Sequence, residues 1–212
     1  MFKSKAALAA FLPLALVGCT GDGAVTDTGI LVTRSACPAV AIPAATGDVT
    51  LFSPESSRLS DAIDVVAHIT NVRSVCGDAG ENIVTNVTFE VRGQRRDAAG
   101  AREVVLPYFA VVVQGGTNVV AKSVSRVGLR FEDGQLRAST TATATGQVLA
   151  SAARLPEDIR RQVTRVRRPG DADAAVDPMS DPAVRDAVRR SSFEVLVGFQ
   201  LTDEQLAYNA TR

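Results

Sequence analysis

Side chains that could perform catalysis are scarce in this chain. His68 is the single histidine among 212 residues, and the alternation of its segment places it on the polar face of a strand, beside Asp64 and Thr70. A Ser-His-Asp mechanism would have to use His68, but the chain has no Gly-x-Ser-x-Gly motif to present a nucleophile. Zinc hydrolases normally gather several His or Cys ligands. We therefore expect a protein without enzymatic activity.

Motifs for phosphates, dinucleotides and metals are also missing. The sequence contains neither a Gly-x-x-x-x-Gly-Lys loop nor a Gly-x-Gly-x-x-Gly fingerprint. Asp171 and Asp173 have the spacing that begins an EF-hand calcium loop, but Ala175 stands where the third ligand belongs. Pro182 stands where that loop needs its bidentate Glu. The sequence predicts neither a metal nor a cofactor.

The densest basic stretch of the chain contains five arginines: Arg160, Arg161, Arg165, Arg167 and Arg168. Guanidinium groups bind phosphates and carboxylates bidentately, so this stretch could contact anionic lipid headgroups or an acidic partner protein. The alternative is a solvated face that is neutralised by Glu157, Asp158 and the acidic loop that follows. The sequence leaves both interpretations open.

The first 18 residues have the order of a cleaved secretory signal. Lys3 and Lys5 come first, and an apolar run extends from Ala6 to Val17. A permanent membrane-spanning helix needs about 20 apolar residues, so this run is too short for one. An ordinary signal would explain the pattern without giving any role to the cysteine that follows it.

That cysteine stands where such a signal would be cleaved. The sequence Leu16-Val17-Gly18-Cys19 resembles the lipobox of bacterial lipoprotein precursors, in which small residues precede a cysteine. The resemblance implies transfer of diacylglycerol to the Cys19 sulfur, cleavage between Gly18 and Cys19, and acylation of the new amino terminus. Thr20 follows, where Asp is the usual inner-membrane retention signal, so the resemblance favours an outer-membrane location.

Cys37 and Cys76 remain as a pair if Cys19 carries lipid. In an oxidising envelope compartment such a pair forms a disulfide. A redox pair would usually have Cys-x-x-Cys spacing, and a zinc site would need further ligands. A bridge would close a loop of about 40 residues and contribute roughly 4 kcal/mol by restricting the unfolded chain. We therefore predict a structural disulfide.

Charge and composition indicate how the mature chain is organised. The sequence has 23 basic and 23 acidic residues, so there is no general surface charge to bind nucleic acid. Residues 19–36 are rich in Gly, Thr, Asp and Ala, as in a flexible tether between a membrane and a domain. Residues 37–212 are then expected to form a single domain.

Most of that domain has the period-two alternation of half-buried strands. For example, Val87, Phe89 and Val91 share one face, while Thr88 and Glu90 share the other. Seven segments are predicted strands: 48–52, 63–70, 83–92, 103–113, 119–120, 136–145 and 193–201. This pattern predicts a mainly β antiparallel sandwich of about seven strands, immunoglobulin- or fibronectin-like. A small closed β-barrel is the alternative.

One predicted strand, 103–113, is apolar on both faces. It either runs through the middle of the domain or presents one face to a partner. Pro107 lacks a backbone donor and favours an edge position or a bulge. Gly115-Gly116 and Asp133-Gly134 are turn signals, and the second has the composition of a tight hairpin turn.

Residues 151–191 are predicted to be a helical insertion before the last strand. Pro156 begins one helix, which Pro169-Gly170 ends, and Asp181-Pro182 has the composition of a helix start. After the last strand, Thr202 and Gln205 have the spacing of a capping box. We expect a further helical turn there.

These features predict a lipid-anchored envelope protein that acts as a non-enzymatic interaction or structural module. Strand 103–113 and insertion 151–191 are the expected surfaces for an envelope protein partner. One alternative is a binding protein that holds a small or lipidic ligand between its sheet and the insertion. The other is an envelope hydrolase that uses His68 or a pair of carboxylates.

Replacing Cys19 with Ala tests the anchor. We expect cell fractionation to find the Cys19→Ala protein in the soluble fraction, because no thioether-linked lipid can form. The matched control is Cys37→Ala, which removes a different thiol and leaves the lipobox intact, and it should stay with the membranes. Membrane retention of Cys19→Ala would contradict the anchor.

Overall fold

The computed structural model describes residues 35–211 and, before them, the backbone of two short strands. These strands, β1 (Val25–Thr26) and β2 (Gly29–Ile30), pair antiparallel. The lipobox, including Cys19, and most of the predicted tether lie outside the described residues.

Two mainly antiparallel sheets of four strands each pack face to face. Their strands are β3 (Ala39–Ala41), β4 (Asp48–Phe52), β5 (Ile63–Ala79), β6 (Asn82–Arg95), β7 (Arg102–Gln114), β8 (Asn118–Phe131), β9 (Arg137–Leu149) and β10 (Phe193–Phe199). Sheet 1 has the order β3-β10-β7-β8, and sheet 2 has the order β4-β5-β6-β9. The predicted mainly β sandwich is confirmed, and within the described residues no ladder joins the two sheets into a closed barrel.

The sandwich has one more strand than the alternation predicted. The additional strand, β3, has only three residues and pairs parallel with β10. A segment of three residues is too short to show alternation between two faces, so β3 could not be predicted from the pattern of residues.

The glycine-containing turns that the sequence predicted are places where the chain reverses, but the two strands that a turn joins do not always pair with each other. Gly115 and Gly116 adopt positive φ values of 62° and 81° and close the β7–β8 hairpin. The hairpin expected at Asp133-Gly134 is wrong, because this turn leads from β8 in sheet 1 to β9 in sheet 2. A tight turn fixes the local direction of the chain, whereas core packing decides which strand becomes the neighbour.

The core lies between the sheets. Its largest fully buried side chains are Phe89, Phe131, Phe199 and Leu129, which come from both sheets. Gly93 on β6 lies directly under Leu129, and a Cβ atom there would collide with the leucine side chain. This glycine therefore permits the close approach of the two sheets.

Strand β7 runs through the middle of sheet 1, between β10 and β8. This central position in the sheet agrees with one of the two interpretations of its apolar faces. On the outward face Val111 and Val113 are buried, whereas Val105 is 54% exposed, so contact of strand 103–113 with a partner stays a prediction. The helical insertion ends beside β7, where Gln114 Nε2 donates to Arg190 O over 2.6 Å. Pro107 is tolerated because the pairing of β10 with β7 ends at Tyr108.

The three helical segments predicted at Pro156, Asp181 and Thr202 are present as α2 (Glu157–Thr164), α3 (Pro182–Arg190) and α4 (Asp203–Thr211). Helix α2 ends at Thr164, before the predicted end at Pro169-Gly170, and a short helix that was not predicted, α1 (Ala150–Ala153), precedes it. Asp181 caps α3 by accepting from Ala183 N at 2.8 Å. The capping box is confirmed, since Gln205 N donates to Thr202 Oγ1 (3.2 Å) and Thr202 N donates to Gln205 Oε1 (3.0 Å).

The disulfide between Cys37 and Cys76 is confirmed, with 6.0 Å between the two Cα atoms. Cys37 lies just before β3 in sheet 1, and Cys76 lies in β5 in sheet 2. The bridge therefore links the two sheets covalently, at the point where the described domain begins.

A second link between the sheets is an ion pair. Arg102 on β7 binds both carboxylate oxygens of Asp64 on β5. The hydrogen bonds from Arg102 lower the pKa of Asp64 below its ordinary value, so the carboxylate stays ionised and the pair stays closed at neutral pH.

Arg95 is a charged residue that is buried in the core, with 2% of its surface exposed. Its guanidinium stacks over the Phe131 ring at 5.4 Å. It donates to four backbone carbonyls, those of Ala98 (2.6 Å), Gly100 (2.8 Å), Gln135 (2.8 Å) and Glu132 (2.9 Å). These carbonyls belong to the two connections, 96–101 and 132–136, that cross between the sheets. The Arg95 side chain therefore links the two connections by hydrogen bonds.

Replacing Arg95 with Met should destabilise the fold strongly. Methionine keeps the apolar stem but removes the guanidinium. The carbonyls of Ala98 and Glu132 keep backbone donors, whereas those of Gly100 and Gln135 lose their hydrogen bond, and each unsatisfied group costs about 1–3 kcal/mol. We expect the free energy of unfolding in urea to fall by about 3 kcal/mol or more. The neighbouring exposed Arg96→Met is the control and should change it by less than about 0.5 kcal/mol. Equal urea midpoints for the two variants would contradict the role given to Arg95.

Candidate functional site

The five arginines of the helical insertion are partly neutralised by nearby acids. Arg160 binds Glu157 at 2.6 Å, and Arg165 binds both Asp171 (3.3 Å) and Asp173. Arg167 reaches Asp173 at 3.5 Å and is mostly covered. Arg161 and Arg168 are exposed and make no ion pair with any residue that the structure describes. Contact of this stretch with a partner or with anionic lipid stays a prediction.

His68 lies on the outer face of sheet 2. It is exposed, and its cross-strand neighbours are Asp48 on β4 and Arg92 on β6. Ser139 lies one strand beyond Arg92, so Arg92 separates it from His68. No group of three His, Cys, Asp or Glu side chains within the described ranges is arranged to hold a metal ion.

A free strand edge is the first surface with the character of a binding site. β8 is an outer strand of sheet 1, and among the strands that the structure describes it pairs only with β7. Every residue from 118 to 126 is exposed, on both faces of the strand. We call this stretch the open edge. Side chains that point toward sheet 2, such as Ala121, Ser123 and Ser125, are exposed because no strand of that sheet covers them.

Apolar side chains are concentrated along the open edge. Val119, Val120 and Val124 are 59%, 46% and 55% exposed. Natural edge strands are usually shielded by charged residues, and a lysine is a common shield. Lys122, however, lies over the Phe109 ring at 5.5 Å, on the face of the sheet. Its ammonium group therefore does not shield the backbone of β8.

The open edge is also basic. Lys122 and Arg126 lie four residues apart on the outward face of β8, and the exposed stretch contains no acidic residue. Arg126 makes no ion pair with any described residue. The edge therefore combines unpaired backbone groups, exposed valines and uncompensated positive charge.

A second surface is a shallow depression of about 690 Å³ that spans the outer face of sheet 2 and the β8–β9 connection. His68, Arg92 and Ser139 stand in one cross-strand row. Arg130 and Arg137 come from the two strands that flank the connection. Three guanidiniums and the carboxylate of Glu90 are the ionised lining groups. We call this the arginine depression.

Two of its arginines are oriented by carboxylates. Glu90 Oε2 accepts from Arg92 over 2.9 Å, and Glu132 Oε1 accepts from Arg130 over 2.7 Å. The hydrogen bond from Arg92 lowers the pKa of Glu90, and the bond to Glu132 raises the pKa of Arg130. Glu103 also acts electrostatically on Arg130. Arg137 makes no side-chain hydrogen bond or ion pair with a described residue, so it is the guanidinium of the arginine depression whose charge no described carboxylate pairs with.

Sequence reasoning did not identify either surface. The alternation of segments 83–92 and 136–145 also puts Arg92 and Arg137 on polar strand faces, but it does not show that Arg130, from the other sheet, lies beside them. The predicted strand 119–120 carries no sign that it is an uncovered edge. The available signal was the run of residues 118–126, in which apolar and polar residues do not alternate regularly.

Comparisons with protein-family models, with curated proteins and with solved structures found no match. No helix in the described part of the chain is long and apolar enough to span a membrane.

Proposed function

We propose that the protein is a lipid-anchored component of the bacterial cell envelope, without catalytic activity, that binds an extended acidic segment of a partner protein along the open edge of β8. The single observation that carries the proposal is the exposure of residues 118–126 on a strand whose outer edge pairs with no other described strand. The lipobox resemblance at Cys19 and the Cys37–Cys76 disulfide support an oxidising envelope compartment.

An added strand is the occupant that suits this edge. An extended peptide can pair with the outward backbone groups of β8, and its alternate side chains can contact the exposed valines. Lys122 and Arg126 favour carboxylates at matching positions of that peptide. A second copy of β8 suits the edge poorly, because it would bring like charges together.

The proposal is tested with a defined peptide and two matched charge reversals. A synthetic peptide in which Glu and Val alternate is titrated into the purified protein, and β8 amide shifts are followed by NMR. We expect saturable binding that weakens about tenfold or more in Lys122→Glu/Arg126→Glu, because attraction becomes repulsion. The same peptide with Lys in place of Glu should bind weakly.

The control reversal is Arg161→Glu/Arg168→Glu, in the helical insertion. It changes the net charge equally and affects the two arginines of that stretch that have no ion pair, so binding should persist. Loss of peptide binding in this variant instead, or no binding by the wild type, would overturn the proposed site.

A further inference from the structure

The arginine depression has the donor set of a phosphate site. A phosphate monoester presents three terminal oxygens and about −1.5 to −2 charge at neutral pH. Several guanidiniums can bind these oxygens together. A carboxylate has only two oxygens, which one guanidinium can satisfy bidentately. Three converging arginines therefore fit a phosphate better than a carboxylate.

The carboxylates near the site hold arginines and leave donors for a ligand. Glu90 takes one NH₂ donor of Arg92, and Glu132 takes the Nε donor of Arg130. Each guanidinium has five N–H donors, so both keep free N–H groups. The two ion pairs favour this orientation before binding, although both arginines remain solvent-exposed.

Arg137 carries a positive charge that no described carboxylate neutralises in an ion pair. It lies directly opposite Gln94 on β6, which makes it a diagonal neighbour of Arg92. Diagonal neighbours are about 7–8 Å apart, within reach of long side chains. Arg92 and Arg137 can therefore approach one anion from adjacent strands.

We propose that the arginine depression binds a phosphate monoester through Arg92, Arg130 and Arg137. Gln94, Gln135 and Ser139 line the same space and provide neutral hydrogen-bonding groups for the moiety that carries the phosphate. A soluble sugar phosphate and a lipid phosphate share this chemistry. The site is independent of the open edge of β8 and adds a second binding activity.

The test uses protein carrying Cys19→Ala, so that no acyl chain contributes, at physiological ionic strength. One arm titrates glucose 6-phosphate by NMR, with glucose as the neutral control. The other arm measures co-sedimentation with phosphatidylcholine vesicles with and without phosphatidic acid. The variants are Arg137→Gln and Arg92→Gln. The matched control is Arg73→Gln, an exposed arginine on β5 outside the depression.

We expect binding of at least one phosphate probe to weaken about tenfold in Arg137→Gln and in Arg92→Gln, as for the loss of one charge-assisted hydrogen bond. Arg73→Gln should bind as the wild type does. Binding of glucose 6-phosphate identifies a soluble source, and binding of phosphatidic acid vesicles alone identifies a lipid. Binding of neither probe, or an equal loss in Arg73→Gln, overturns the proposal.

Discussion

A single buried guanidinium fixes the end of the sandwich at which the chain crosses between its sheets. Arg95 donates to carbonyls of the β6–β7 and β8–β9 connections and pairs with no carboxylate among the described residues. A buried charge is tolerated only when its hydrogen bonds are well satisfied. The same bonds hold Glu132 and Gln135, so Arg95 also shapes the arginine depression. At the opposite end of the sandwich the Cys37–Cys76 bridge links the sheets on the β3 side, away from β8, where the open edge is exposed.

The order of sheet 1 separates the beginning of the domain from its proposed binding edge. β3 and β8 are the two outer strands, and three strand spacings separate them by about 14 Å. The Cys37–Cys76 bridge fastens the chain on the β3 side, just after the predicted tether. In a lipid-anchored protein this arrangement would hold one edge toward its attachment and leave the other accessible to a partner.

Local signals in the sequence were sufficient for much of the fold. Alternation assigned Phe89 and Val91 to the core, and the spacing of Thr202 and Gln205 located the α4 cap, because both depend on neighbours in the chain.

Features that depend on packing between residues far apart in the chain were not predictable. Asp133-Gly134 has the composition of a hairpin turn but connects two sheets. Arg95 has the parity of a core position, yet its residue type is typical of the surface. The two candidate surfaces need the full topology, since Arg92 and Arg130 lie in different sheets.

Amide hydrogen exchange, resolved by residue, measures whether β8 has a free outer edge that accepts an added strand. Amides in 118–126 that are bonded to β7 should exchange slowly, while the alternate amides that face solvent exchange rapidly. The rapid set should become protected when the alternating Glu-Val peptide is bound. Uniform protection of 118–126 in the free protein, or peptide-induced protection only elsewhere, would contradict the account.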